Sequence, residues 1–164
     1  MNALITVSNK EGLIEFARSL IEIGYNIYAT DGTARYLEKN GIHVRRLSEL
    51  TNLKETKDIK TLHAEVFRRI YTGFFKIVVV NLYELKSLED VDIGGVALLR
   101  ASAKNFKKVI VVSDSNQYDD VIMRLKNGDI DERFRLELAI KAFKSVVRYD
   151  LSVLDMLRKL KISQ

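Results

Sequence analysis

The 164-residue chain contains no cysteine, which removes disulfides, thiol nucleophiles and thiolate-bound zinc together. It has two histidines, His43 and His63, so a histidine-built metal site is not expected and no metal is assigned. No apolar run approaches the roughly 20 residues needed to cross a bilayer. The first residues, Met1-Asn2-Ala3-Leu4-Ile5-Thr6-Val7, lack the basic, apolar and small-residue parts of a secretory leader, so a cytoplasmic protein is expected. One-signed charge is also missing. The formal net charge is +5, but 22 carboxylates are scattered among 27 basic residues, so nucleic acid is not the expected partner and a small anionic ligand suits the balance better.

The 47% hydrophobic content is enough for one core, and the length is that of one domain spanning 1–164. Short β-rich runs at Ala3–Val7, Asn26–Ala29, Lys76–Val80 and Lys108–Val112 alternate with segments of helical period, such as Leu13, Phe16, Ala17, Leu20 and Ile21. Continuous apolar strands belong to parallel sheets covered on both faces. The expected fold is a three-layer α/β/α domain with a mainly parallel sheet, closed by one or two helices from about Asp131.

In such folds ligands gather at the carboxyl ends of the strands. The first strand ends in Ser8-Asn9-Lys10, where hydroxyl, amide and ammonium meet a helix start, a natural anion seat. Simple helix capping by Ser8 or Asn9 explains those residues equally well. The second strand ends in Thr30-Asp31-Gly32-Thr33; Thr30 and Thr33 can donate to a phosphate that Gly32 lets approach, whereas Asp31 would repel it. Lys60-Thr61-Leu62-His63 precedes a further helix, and Thr61 as its cap is the plain reading. Asn81-Leu82-Tyr83 follows an apolar strand, with an amide for recognition and a phenol to meet developing negative charge. Asp92-Ile93-Gly94-Gly95 opens a helix that places Arg100 and Lys104 on one face, a like-charge pairing that implies an anion nearby.

In this order and spacing, Val7-Ser8-Asn9-Lys10-Glu11-Gly12, Gly32-Thr33-Ala34, Lys60-Thr61-Leu62-His63, Asn81-Leu82-Tyr83, Asp92-Ile93-Gly94-Gly95, Arg100-Ala101 and Ala103-Lys104-Asn105 resemble the inosine monophosphate (IMP) cyclohydrolase domain of the bifunctional purine-biosynthesis proteins, from about Leu4 to Tyr149. The resemblance implies a methylglyoxal-synthase-like fold and a cofactor-free ring closure of the formamido-imidazole-carboxamide ribonucleotide to IMP, the work of a cyclic amidine hydrolase. It implies that Ser8, Lys10, Thr30, Gly32 and Thr33 hold phosphate and ribose, that Lys60 and Thr61 approach base and phosphate, and that Asn81, Asp92, Ile93 and Gly94 contact the base. Lys104 matches the family's proton-transferring lysine, with Asp92, Lys60 and Tyr83 as the other catalytic candidates. A homodimer and a separate enzyme that formylates the precursor are further implied, because the chain stops at Gln164 where family members continue into a transformylase domain.

The chain departs from the family pattern at several positions. Asp58 and Ala64 stand where an arginine and a proline are usual, and Phe67-Arg68-Arg69 replaces a His-Gly-Gly. The loop Asn52-Leu53-Lys54-Glu55-Thr56-Lys57 lacks a glycine pair, and Asp31 replaces a small residue. Asp58 reverses the local charge, so either it points away or Lys57 or Arg35 substitutes. The other readings are a non-catalytic nucleotide-binding or regulatory domain of the same fold, a methylglyoxal synthase, and an inactive paralogue.

Overall fold

The computed structural model describes residues 1–52 and 61–162. Five strands form one sheet in the order β3-β2-β1-β4-β5: β1 Asn2–Val7, β2 Asn26–Ala29, β3 Arg45–Arg46, β4 Phe75–Asn81 and β5 Ile110–Val112. Every adjacent pair is parallel. In β1 and β4, Ala3, Leu4, Ile5, Phe75, Ile77 and Val78 are wholly buried, as strands covered on both faces must be. β3 is an addition to the expected strands. Its two arginines pair only with Tyr28 and Ala29 at the sheet edge, so they carry no apolar signal.

The helices are α1 Leu13–Glu22, α2 Asp31–Lys39, α3 Leu47–Thr51, α4 Ala64–Thr72, α5 Ile93–Lys104, α6 Tyr118–Asn127 and α7 Glu132–Ile162. The expected parallel α/β architecture holds, and the region after Asp131 is a single 31-residue helix. Phe134, Leu138, Ala139, Ala142, Val146 and Tyr149 bury one face of α7, and its contacts are with α5 and β5. Its opposite face leaves Leu136, Ile140, Phe143, Val147, Leu151 and Leu154 substantially exposed. Among the described residues, no helix is long and apolar enough to cross a membrane.

The connection from β1 leads outward to β2, while the chain later returns to place β4 on the other side of β1. The carboxyl ends of β1 and β4 therefore border the crevice where strand order reverses, the usual ligand position in an open parallel sheet.

Candidate functional site at the β1/β4 switch point

β1 ends at Val7 and the chain turns through Ser8–Gly12 into α1, with Gly12 at φ +65° closing the turn. Gly12, rather than Ser8 or Asn9, is the residue before that helix. Ser8 is instead tied across the crevice: its hydroxyl lies 2.9 Å from Asn81 Oδ1, which also accepts from the Asn9 amide at 3.1 Å. Asn81 Nδ2 in turn donates to the Asn9 carbonyl at 2.8 Å. Asn81 is therefore the clip that joins the β1 and β4 loops, a use that its sequence position did not disclose.

The second loop packs against the first. Thr33, buried at the first turn of α2, places its hydroxyl 3.3 Å from both the amide and the carbonyl of Val7, and Lys10 Nζ donates to it at 3.2 Å. Thr30, also buried, donates to Thr6 Oγ1 at 3.3 Å. A Cβ at Gly32 would meet no described atom within 4 Å, so the backbone there is open to approach. A hollow of about 760 Å³ is lined by Ser8, Lys10, Thr30, Gly32, Thr33 and Tyr83. It holds the expected phosphate residues together. Asp31 turns aside from them, with Oδ1 at 3.2 Å from Arg46 Nη1.

A smaller hollow of about 250 Å³, lined among others by Ser8, Thr61, Asn81, Tyr83, Asp92, Ile93 and Gly94, adjoins it through Val7, Ser8, Tyr83 and Asp90. Its floor is the start of α5. Asp92 is the N-cap, Oδ1 accepting from the Gly95 amide at 2.6 Å, and a Cβ at Gly95 would sit 2.5 Å from that carboxylate. A Cβ at Gly94 would sit 2.4 Å from Thr61 Oγ1. The two glycines thus answer to separate close approaches. Thr61 is buried beside Gly94 and is not the α4 cap; that is His63, whose Nδ1 accepts from the Glu65 amide at 3.2 Å. Ile93 is exposed at the first turn of α5, whose amides form an anion-favouring helix N-terminus.

Tyr149 of α7 completes this corner, though nothing in the sequence pattern singled it out. Its hydroxyl accepts from the Asp92 amide at 2.7 Å and lies 3.3 Å from the Asp90 carbonyl. Burial raises the phenol's pKa, opposed by the Asp92 amide and reinforced by the nearby carboxylates, so it stays a neutral brace.

Lys104 is not brought into this crevice. α5 starts at the carboxyl edge of the sheet and runs back for 12 residues, which places Lys104 roughly 16 Å along the axis from Ile93 at 1.5 Å per residue. There it is exposed and borders a different hollow with Phe106, Gln117, Ala139 and Phe143. The anion that answers Arg100 is supplied by the chain itself, since Arg100 Nη2 lies 2.9 Å from Asp150 Oδ2 of α7. Lys60, Asp58 and Lys57 lie outside the described residues; Arg35 is exposed on α2.

Comparison with known proteins agrees with this fold. Residues 12–107, more than half of the chain, match the family model described as an MGS-like domain. The chain belongs to the MGS-like domain family. Within it, residues 102–164 also match the model described as the AICARFT/IMPCHase bienzyme. The bifunctional purine biosynthesis protein PurH of Staphylococcus saprophyticus is 40% identical over 93% of this MGS-like chain, and that of Staphylococcus carnosus 37% over 95%. The chain spans 37% and 38% of those two relatives. The first alignment runs over 183 positions against a chain of 164, so the relative carries insertions relative to it. A solved structure titled "Crystal structure of ForH" superposes with a TM-score of 0.85 at 32% identity, over 96% of both chains. The motif-based resemblance to the IMP cyclohydrolase part of PurH therefore agrees with both sequence and fold.

Proposed function

We propose that this chain is a cytoplasmic IMP cyclohydrolase that closes the formamido-imidazole-carboxamide ribonucleotide to IMP, in purine biosynthesis. The observation that carries this reading is the adjacency of two hollows at the β1/β4 switch point. One has the hydroxyls and ammonium for a ribose phosphate, and the other has an acid and an open helix N-terminus for the reacting ring. The PurH relatives supply the substrate class.

In this reading, Ser8, Lys10, Thr30, Gly32 and Thr33 hold the phosphate and ribose, and Asn81 fixes the loops that present them. The base lies over Thr61, Ile93 and Gly94. Holding the carboxamide nitrogen against the formyl carbon turns the closure into a positioned intramolecular attack. Asp92 accepts an N–H proton as the carbon–nitrogen bond forms, and the formyl oxygen faces the first-turn amides of α5 and the Tyr83 hydroxyl as it gains charge. That oxygen is then protonated and leaves as water, with the second nitrogen proton lost, so the ring closes without redox change or cofactor. Lys60 is a further catalytic candidate by its motif. Lys104 borders the hollow beside α7 instead.

The test is to supply the formamido ribonucleotide to purified protein and follow purine absorbance. The reading requires IMP to form well above the uncatalysed rate; a background rate from folded protein rejects it.

A further inference from the structure

We infer that Arg46 is a positioning residue that makes the second phosphate loop usable by holding the Asp31 carboxylate away from it. This rests on the phosphate seat proposed above. Asp31 is the first residue of α2 and Thr33 the third, so at 3.6 residues per turn their side chains leave the helix about 200° apart. Thr33 faces Val7 and Lys10, in the crevice. Asp31 faces the sheet edge, where β3 sets Arg46 beside Ala29, two residues before it. The guanidinium bridges Asp31 Oδ1 at 3.2 Å and Glu38 Oε2 at 2.5 Å, two carboxylates seven residues apart on one face of α2. A planar fork with several donors can hold both at once, whereas an ammonium is a point charge.

Arg46 is half-withdrawn from solvent and spends two of its nitrogens on these acids, so it serves the phosphate through Asp31. Removing it takes this cation from a carboxylate that sits in the chain between Thr30 and Gly32, two residues that line the seat. Removing Asp31 as well removes the reason for the guard.

The discriminating experiment is a double-mutant cycle on the full chain, read by the affinity for IMP and for inosine, with thermal melting to confirm folding. Arg46→Ala is expected to weaken IMP binding about tenfold and inosine binding less than twofold. Asp31→Gly is expected to leave IMP affinity within twofold, and the double variant Asp31→Gly/Arg46→Ala to recover it to within threefold of wild type. Arg46→Lys, which keeps the charge should Arg46→Ala fail to fold, is expected to fall between wild type and Arg46→Ala. A double variant as weak as Arg46→Ala overturns the inference, as does equal loss for IMP and inosine, or no loss in Arg46→Ala. If the wild-type chain itself shows no preference for IMP over inosine, the phosphate seat is the reading that fails.

Discussion

Gly94 is the residue at which the site is least forgiving. Its missing side chain makes room for Thr61 Oγ1, 2.4 Å from where a Cβ would stand, and the neighbour is a buried threonine with little freedom to retreat. Gly94→Ala is therefore expected to cost about 1 to 3 kcal/mol by overpacking, and to weaken nucleotide binding tenfold or more; chemical denaturation and IMP titration check the two parts. Gly32→Ala is the matched control, because nothing described lies within 4 Å of its Cβ, and its folding stability should stay near wild type. The sequence distinguished Gly94 as part of a motif but not by its contact, because Thr61 lies 33 residues away. The anion expected near Arg100 could not be named from the sequence for the same reason. Its partner Asp150 is 50 residues distant, so local spacing displayed only the repulsion with Lys104.

At the scale of the elements, α5 carries both structure and chemistry through one carboxylate. Asp92→Asn retains an oxygen for the Gly95 amide and should melt within about 0.5 kcal/mol of wild type, whereas Asp92→Ala loses the cap and about 1 kcal/mol. Turnover of the Asn variant is expected to fall at least tenfold, since an amide is no proton acceptor; retained turnover confines Asp92 to capping. α6 gives a pH prediction. Tyr118 stacks on Phe16 of α1 with centroids 4.1 Å apart, and burial, with the Asp114 carboxylate adding, pushes its phenol up to about 12. The folded state thus keeps a proton that the unfolded state gives up near 10. Stability from this group is full below pH 10 and is lost as pH rises towards 12, on the order of 2 to 3 kcal/mol at 1.36 kcal/mol per pKa unit. Denaturant titrations across that range should show this loss in the wild type, and Tyr118→Phe should show a shallower one, Tyr25 and Tyr149 being raised as well. Most of the elements were legible because β1, β2, β4 and β5 are apolar runs; the two-residue edge strand Arg45–Arg46 was not, since it carries no apolar residue.

At the scale of the molecule, the parallel sheet explains which motif residues meet. Segments that follow β1, β2 and β4 arrive at one edge, and this is why Ser8, Thr30, Asn81 and Asp92 converge although 84 positions separate the first from the last. Motif reading treats the run from Asp92 to Lys104 as one unit, but a 12-residue helix carries its two ends to opposite edges of the sheet. α7 then closes the corner from outside, Tyr149 fastening the Asp90–Asp92 turn and Asp150 holding Arg100. The central claim is that nucleotide binds at the β1/β4 crevice and not in the larger hollow beside α7. Titrating IMP into isotopically labelled protein and following the backbone amide resonances tests it most directly. The largest shifts are expected at Ser8, Gly32, Thr61, Ile93 and Gly94, with Lys104, Phe106 and Phe143 little changed; shifts concentrated at Lys104, Phe106 and Phe143 would contradict the account.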